Sequence, residues 1–584
     1  MQYINFNKFT LFFVMSLFSY ILFIIISNLD RGLDTTDESY YILVAKYLEN
    51  WYLSPMNEGY YTQFIYKLTN WNIKYVRGIG IFLLLLSSFM FSVNLLKFIT
   101  TKFNLKTSNT EKYLFVITIT MSSLIYYQHW LFTPSYNLLQ IVSINFIISF
   151  LLIIINNYKN IESGFFKLEY ILLSFFYCTS FLIKPITAVI MAIVSIFIYI
   201  YNYSRIDKKT VTMIIVLSIL ILYFQIIFIN GSIFEYIDKV KISLDIINTI
   251  DSGYNLKENF FQFFIDFYYY IFKYKMISLS IPFLLFSFCI IFFLKTKINI
   301  KIIYFSLVSI LFIVFYILII KYNYESLWFI FIIFTINIYM IYGFIYYFED
   351  SKYIKIKELF KTIPLVVILI LLSFTFSFGT NNSMIPHMNM SFIFSIGGIM
   401  TLIYINDNKQ VFIKINIFLS ILISILTLNI IEKAYQNPYR LNTSVKYQTE
   451  KVDILGGVKV DKDLKNYIDK LLEIKIQNNI VYLLDMTGAT SGANIFLEAK
   501  YVGAPWLLGG YKGSNESAYK ILSNVPSEKL KNSWILVAPK GRRSLDINLL
   551  NKLNLSFPKN YVKIGTLFLK SRNETQELWK PISN

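Results

Sequence analysis

Apolar runs of roughly 17–23 residues recur along the first three quarters of the chain, each long enough to cross a bilayer core as a helix. They fall near 9–28, 78–97, 113–132, 136–156, 166–183, 185–203, 211–230, 276–294, 301–320, 326–348, 362–378, 390–405 and 411–431. The pattern predicts a polytopic α-helical membrane protein with about 13 transmembrane helices. Pro134 and Pro185 mark breaks of only a few residues between neighbouring runs. The first run, Phe9 to Ser27, has no small-residue cleavage site behind it and is expected to be a retained first helix. After about 432 the pattern changes, with charges of both signs, Gly and Pro. Val481–Asp485, Ser533–Ala538 and Tyr561–Leu569 read as strands, and 461–476, 515–523 and 544–553 as helices. That alternation predicts a small C-terminal α/β domain over 432–584, behind a transmembrane domain over 1–431.

Composition agrees with lipid as the solvent. The 584 residues are 56% hydrophobic and 15% charged, against about 25% charged in a typical soluble domain. The net charge of +19 raises nucleic acid as a partner, but the basic residues are not spread at random. With the N-terminus inside, one side collects Lys102, Lys106 and Lys112, then Lys159, then Arg205, Lys208 and Lys209. The same side collects Lys295, Lys297 and Lys301, then Lys352, Lys355, Lys357 and Lys361, then Lys409 and Lys414. This asymmetry is the positive-inside pattern, so the charge orients the protein and no nucleic-acid partner is expected. Cys178 and Cys289 lie in apolar runs without metal-ligand spacing and read as small core residues.

The same orientation puts three long segments on the outer side: 29–77, 231–275 and everything after about 432. The first begins Asp30-Arg31-Gly32-Leu33-Asp34-Thr35-Thr36-Asp37-Glu38-Ser39-Tyr40-Tyr41. Asp34, Asp37 and Glu38 place three carboxylates within five residues. Thr36 is expected to cap a helix running from Asp37 to Trp51, amphipathic and lying at the interface. On spacing alone these acids read either as first-turn caps of that helix or as chemistry. Segment 231–275 is aromatic, with Phe260, Phe261, Phe263, Phe264 and Phe267, and reads equally as a lid over a lipid-facing groove or as an interfacial connection. In the C-terminal region, the glycines after Asp485 and those around Trp506 and Tyr511 suit sugar or phosphate binding, or simply tight turns.

A first transmembrane helix followed at once by an Asp-Glu pair, Tyr-Tyr and an interfacial helix resembles the GT-C superfamily of membrane glycosyltransferases. That superfamily includes protein O-mannosyltransferases, lipid A aminoarabinose transferases and rhizobial lipopolysaccharide transferases. The resemblance covers about residues 9–430 by architecture, and its specific motif is the Asp-Glu pair with its surroundings. It implies a bacterial plasma-membrane enzyme with an extracytoplasmic C-terminal domain. Such an enzyme would transfer a sugar, with inversion, from a polyprenyl-phosphate donor to a glycan, lipid or protein acceptor. It also implies that Asp37, with Glu38 adjacent, supplies the acid/base carboxylate.

Transfer of this kind needs a base for the acceptor and a cation for the leaving phosphate. Candidate substrate-binding residues near the outer face are Lys184, Arg77, Tyr40, Tyr41, Tyr136, Asn137, Lys321, Asn381 and His387, with Arg31 as a further cation. Lys184 stands out because a charge between two apolar helices is costly without a partner, unless its stem carries the ammonium out to the surface. His387 reads equally as a polar loop residue. A divalent metal shared by the acids is left open. Two other classes fit the same membrane face: an O-antigen-type polymerase or ligase, and a polysaccharide or lipid transporter. The absence of an internal repeat and the placing of charges at helix ends argue against the transporter.

Overall fold

The structure is a computed structural model that describes residues 2–50, 53–157, 167–201, 208–250, 256–273, 327, 330, 352–379, 383–405 and 409–582. Six of its helices have spans long and apolar enough to cross a membrane: Lys8–Ile26, Ile73–Lys102, Tyr136–Asn156, Lys208–Asn230, Met384–Tyr404 and Asn416–Gln436. Leu168–Ile183, Pro185–Tyr201 and Thr362–Ser377 are shorter apolar helices. The protein is therefore a helical membrane protein. The runs expected at 276–294 and 301–320 lie outside the described residues, as does most of 326–348, and so do Lys321 and Asn381.

The helices of the first half are α1 (Gln2–Ile26), α2 (Asp37–Lys46), α3 (Glu58–Leu68), α4 (Ile73–Lys102), α5 (Asn109–Ser122), α6 (Tyr136–Asn156), α7 (Leu168–Ile183) and α8 (Pro185–Tyr201). They continue as α9 (Lys208–Asn230), α10 (Ile233–Thr249), α11 (Leu256–Lys273), α12 (Lys352–Ser377), α13 (Met384–Met388), α14 (Phe392–Tyr404), α15 (Lys409–Gln436) and α16 (Lys462–Gln477). Helix α6 is central: 94% of its apolar window is buried, against 11% for α9, whose side chains face outward where lipid would lie. Polar side chains tie α6 to its neighbours. Gln140 Nε2 donates to Ser180 Oγ of α7 at 2.7 Å, and Asn145 Nδ2 donates to Ser87 and Ser88 of α4 at 3.2 Å each. Without water, such bonds specify helix pairing that Leu-on-lipid contact cannot.

The run expected as one span at 113–132 is split. Helix α5 ends at Ser122 and gives way to a 3-10 turn, Ser123–Tyr127. The hydroxyls of Ser122 and Ser123 turn back onto the carbonyls of Ile119 and Thr120, which tightens the last turn.

Past α15 the chain builds a five-stranded mixed sheet in the order β4-β3-β5-β7-β6, beside a β1-β2 hairpin. Its strands are β3 (Tyr482–Asp485), β4 (Lys500–Tyr501), β5 (Trp534–Val537), β6 (Tyr561–Leu569) and β7 (Glu574–Pro581). The hairpin pairs β1 (Glu450–Val452) with β2 (Val458–Val460). β3 runs parallel to β4 and β5, while β5-β7 and β7-β6 are antiparallel.

Residues of the 29–77 segment and this sheet share one hydrophobic core. Leu33, Ile42, Leu43, Ala45, Tyr66 and Val76 pack with Val458, Leu483, Phe496, Tyr501, Trp534 and Leu578. Backbone bonds add to it: Gly32 N donates to Lys459 O at 2.8 Å, Lys459 N to Asp30 O at 2.7 Å, and Ser491 N and Gly492 N both to Thr35 O at 3.0 Å. Each fully buried Leu or Ile at such a seam contributes roughly 1.5–3 kcal/mol.

Helix α2 is thus a correction to the expectation of an interfacial helix reaching Trp51. It stops at Lys46, and Ile42, Leu43, Val44 and Ala45 are buried against protein. Their apolarity serves the seam with the C-terminal region. The described part of 231–275 holds α10 and α11, and α10 reaches the same region, where Lys520 pairs with Asp245 at 2.9 Å.

Candidate active site

The chain leaves α1 at Ile26 and turns twice before α2. Asp34 builds the turn. Its carboxylate accepts the Thr36 hydroxyl at 2.7 Å, Thr36 N at 3.1 Å and Glu38 N at 3.3 Å. Burial, and then the nearby Asp37 charge, push Asp34 up to about 6. Thr36 therefore does not cap α2 with its side chain, because its hydroxyl is turned onto Asp34.

Glu38 is equally committed. It is 2% exposed, Oε2 accepts Asp34 N at 3.0 Å, and Oε1 receives Arg77 Nη2 at 2.7 Å, Arg77 Nε at 3.1 Å and the Thr133 hydroxyl. Arg77 spends its remaining donors on the loop, giving Nη1 to Leu29 O at 2.6 Å and Nη2 to Gly32 O at 2.7 Å. Arg77, a phosphate candidate in the sequence, is instead the clamp that fixes Glu38 and the end of α1. A guanidinium with its donors taken has none left for a ligand.

Asp37 is the acid left over. Its side chain is 31% exposed, and one oxygen accepts Arg440 Nη1 at 3.0 Å. Arg440 sits four residues past α15, in the left-handed region at φ +56°, with its guanidinium 4.5 Å from the Tyr439 ring centroid. Its Nη1 also donates to Thr36 Oγ1. The Asp37 charge lies within electrostatic reach of Tyr41, Tyr136, His129 and Tyr439. His129 and Tyr439 are themselves in ring contact at 5.5 Å, and Tyr439 N donates to His129 O at 3.1 Å.

From Asp37 an aromatic ladder leads inward. Tyr40 meets Tyr41 edge-on at 5.6 Å, and Tyr41 meets Tyr136 at 5.9 Å. Tyr136 lies 5.9 Å from the Lys184 ammonium, which is also 5.2 Å from the Phe376 ring and donates to Phe376 O at 3.0 Å. Pro185 explains the position of Lys184: a residue before proline avoids helical angles, so α7 ends there and the lysine leaves the helix at φ −150°, ψ 79°. Lys184 is 2% exposed, so its ammonium does not reach the surface, and among the described residues it has no acidic partner. Gly379 packs against its stem, where a Cβ would sit 3.0 Å from Cε. His387 stacks on Phe376 at 5.0 Å, is 4% exposed and leaves Nε2 without a partner, so it is not a surface loop residue.

Buried polar atoms without partners gather around this ladder. Tyr40 OH donates to Glu58 Oε1 at 3.4 Å, while Glu58 Oε2 and Asn137 Oδ1 have none. Burial pushes Glu58 up to about 7. Orphaned buried polar groups cost about 1–3 kcal/mol each, so those beside this ladder stand out as groups that a polar ligand could satisfy. Arg31 lies apart from them and donates Nη1 to Lys446 O at 3.3 Å.

Among the described residues no three His, Cys, Asp or Glu side chains are grouped to hold a metal ion. Asp34 and Glu38 already have their oxygens occupied, so a metal shared by the three acids does not fit this arrangement. The structure also supplies residues the sequence reading passed over: Arg440, Tyr439, His129 and Glu58. Asn437-Pro438-Tyr439-Arg440 follows the last apolar run directly, and that position was the available signal. No protein-family model matches the chain, and no curated protein is significantly similar to it.

Proposed function

We propose that the protein is a GT-C-like glycosyltransferase, using Asp37 to activate the acceptor of a sugar carried on polyprenyl phosphate. The observation that carries this reading is a half-open carboxylate, Asp37, together with a buried ammonium, Lys184, that has no acidic partner among the described residues. Asp37 stands at the seam with the C-terminal region, and Lys184 stands inside the helical bundle behind the Tyr41–Tyr136 ladder. Base and phosphate-neutralising cation are the two groups such a transfer needs.

In this reading Asp37 takes the proton from an acceptor hydroxyl or amine. That oxygen or nitrogen forms a bond to the anomeric carbon, and the bond from that carbon to the carrier phosphate oxygen breaks, with inversion. Lys184 stabilises the leaving phosphate, and Tyr136, Tyr41 and His387 line the path between. Glu38 and Arg77 act as positioning residues, since their charges are spent on each other and on the loop. The loop bearing Asp37 and the C-terminal region then face the outer side of a bacterial plasma membrane, and a cell-envelope glycan, lipid or protein is the acceptor.

The test is a glycolipid and surface-polysaccharide profile of cells with and without the gene. The reading expects one glycan structure to be truncated or to lose a decoration while its lipid-linked donor accumulates. Identical profiles and donor pools contradict it. An unchanged glycan accompanied by altered transport of a lipid or polysaccharide across the membrane would favour the transporter reading.

A further inference from the structure

Helix α11 has four chemically distinct sides, and no step of the proposed transfer uses it. At about 100° per residue, Phe261, Phe264, Ile265, Tyr268, Tyr269 and Phe272 fall on one arc of about 140°. All six are between 50% and 63% exposed. Phe263, Phe267 and Tyr270 lie on the opposite side and pack into the bundle core. Gln262, Asp266 and Lys273 share a polar flank between the two, where Gln262 Nε2 donates to Asp266 Oδ1 at 2.8 Å. The other flank is apolar, with Ile271 next to Phe264.

The contacts of the inward side fix where α11 lies. Val367, Leu371 and Phe374 stand at i, i+4 and i+7 on one face of α12. Val367 and Leu371 are exposed, as side chains facing lipid are. At Phe374 the stripe is covered, because the Phe263 ring of α11 lies 4.9 Å from it. Phe374 is three residues from the end of α12, about 4.5 Å along its axis. Beyond that end the Ser383 hydroxyl donates to Asp266 Oδ2 at 3.0 Å, so the polar flank of α11 points away from the apolar stripe of α12. Helix α11 therefore sits on the lipid-facing side of the bundle, with protein behind it and its open arc turned outward.

Six side chains of this size, about half exposed, leave roughly 600 Å² of apolar surface. That is at or above the largest apolar patch a water-facing monomer usually shows. The patch adjoins the exposed stripe of α12 instead of standing alone. The C-terminal end of α11 carries the residues suited to the headgroup level: Lys273 Nζ lies 5.7 Å from the Tyr269 ring and 5.6 Å from the Tyr270 ring.

We infer that α11 lies in the plane of the membrane, in the leaflet on the Asp37 side, and binds bilayer phospholipid through its aromatic arc. The acyl chains meet the arc, and the polar flank stays at the headgroup boundary. The inference stands whether or not the transferase reading does. It also joins lipid contact to the buried ammonium, because the α12 end under α11 holds Lys184 through the Phe376 carbonyl.

The test is spin-label accessibility of the full chain in phospholipid nanodiscs. A Cys178→Ala/Cys289→Ala background receives one nitroxide at a time, at Phe261→Cys, Ile265→Cys, Tyr268→Cys or Phe272→Cys on the arc. Gln262→Cys samples the polar flank, and Lys559→Cys is an exposed control in the C-terminal region. Dissolved oxygen is expected to relax the four arc labels more strongly than a water-soluble nickel chelate does. The order is expected to reverse at Lys559, with Gln262 in between. The depths of labels 261 and 272 are expected to agree within about 5 Å, as for a helix lying in the interface.

Arc labels as open to nickel as Lys559 overturn the inference in favour of a water-facing helix. Depths about 16 Å apart overturn it in favour of a helix crossing the bilayer. Arc labels shielded from both reagents and broadened by labels on a neighbouring molecule overturn it in favour of a second copy of this chain. Each labelled chain is compared with the background for unfolding temperature. Any position that destabilises the fold is set aside, and the remaining arc positions, which report independently, decide.

Discussion

Arg77→Leu is expected to be the most damaging single change in the 29–77 segment apart from changes at Asp37. Arg77 and Glu38 are each about 3% exposed and 2.7 Å apart. Removing the guanidinium leaves Glu38 with a buried charge and only the Thr133 hydroxyl and Asp34 N as donors. It also strips the carbonyls of Leu29 and Gly32 of their partner. Breaking a buried pair by deleting one member costs about 3–5 kcal/mol, far above the roughly 0.5 kcal/mol of an ordinary surface change.

A double-mutant cycle with Glu38→Gln isolates the pair. The double variant is expected to lose less than the sum of the singles, with a coupling above roughly 1.5 kcal/mol, because the stranded carboxylate is then neutral. Urea midpoints of the detergent-solubilised full chain, followed by tryptophan fluorescence, supply the numbers. Trp71, stacked on Tyr66 at 5.0 Å within the shared core, reports on this region. An Arg77→Leu loss below about 0.5 kcal/mol, or strictly additive singles, refutes the claim that this pair holds the loop.

Further outcomes follow from the same contacts. Asp485 is buried and pushed from 3.8 up to about 7, chiefly by burial. Between those values the folded state keeps a proton the unfolded chain has lost, so this group's contribution to stability falls as pH rises through that window and is level above it. Asp485→Asn is expected to flatten that stretch of a stability–pH profile, and an unchanged slope counts against it. Gly488→Ala places a methyl 2.0 Å from Arg543 O at φ +65°, so thermal unfolding should show a loss of about 1–3 kcal/mol or more. Lys184→Met is expected to weaken donor binding at least tenfold, while Lys184→Arg recovers part of it, as read by the KM for the lipid donor. A periplasmic-type reporter fused after Ile26 is expected to be active, and activity only from a cytoplasmic-type reporter would reverse the orientation.

How much of this was written in the sequence depends on the solvent each residue meets. Spans such as 136–156 and 211–230 were legible because lipid demands an unbroken apolar run, and helices stand at Tyr136–Asn156 and Lys208–Asn230. The 113–132 run misled because hydropathy does not register serines bending a helix end at Ser122 and Ser123. Strands β3, β5 and β6 carried apolar stretches and were legible. β7 was not, because Glu574-Thr575-Gln576-Glu577 is polar, yet it pairs with both β5 and β6 and buries Glu574 and Gln576. At the site, Asp37 and Lys184 were visible through their unusual positions. The separation of Asp37 from Asp34 and Glu38 was not, because three neighbouring carboxylates look alike until Arg77, Thr133 and Thr36 claim two of them. Arg440 was hidden because its partner lies 403 residues earlier in the chain.

The central claim is that one half-open carboxylate activates the acceptor. The direct measurement is sugar transfer from a polyprenyl-phosphate donor by purified wild type and Asp37→Asn, each reconstituted in nanodiscs at equal amounts and equal donor occupancy. The account predicts that Asp37→Asn keeps its unfolding temperature and its binding of the lipid donor while turnover falls about 10²–10⁴-fold. Wild-type turnover by a folded, donor-saturated Asp37→Asn protein contradicts it.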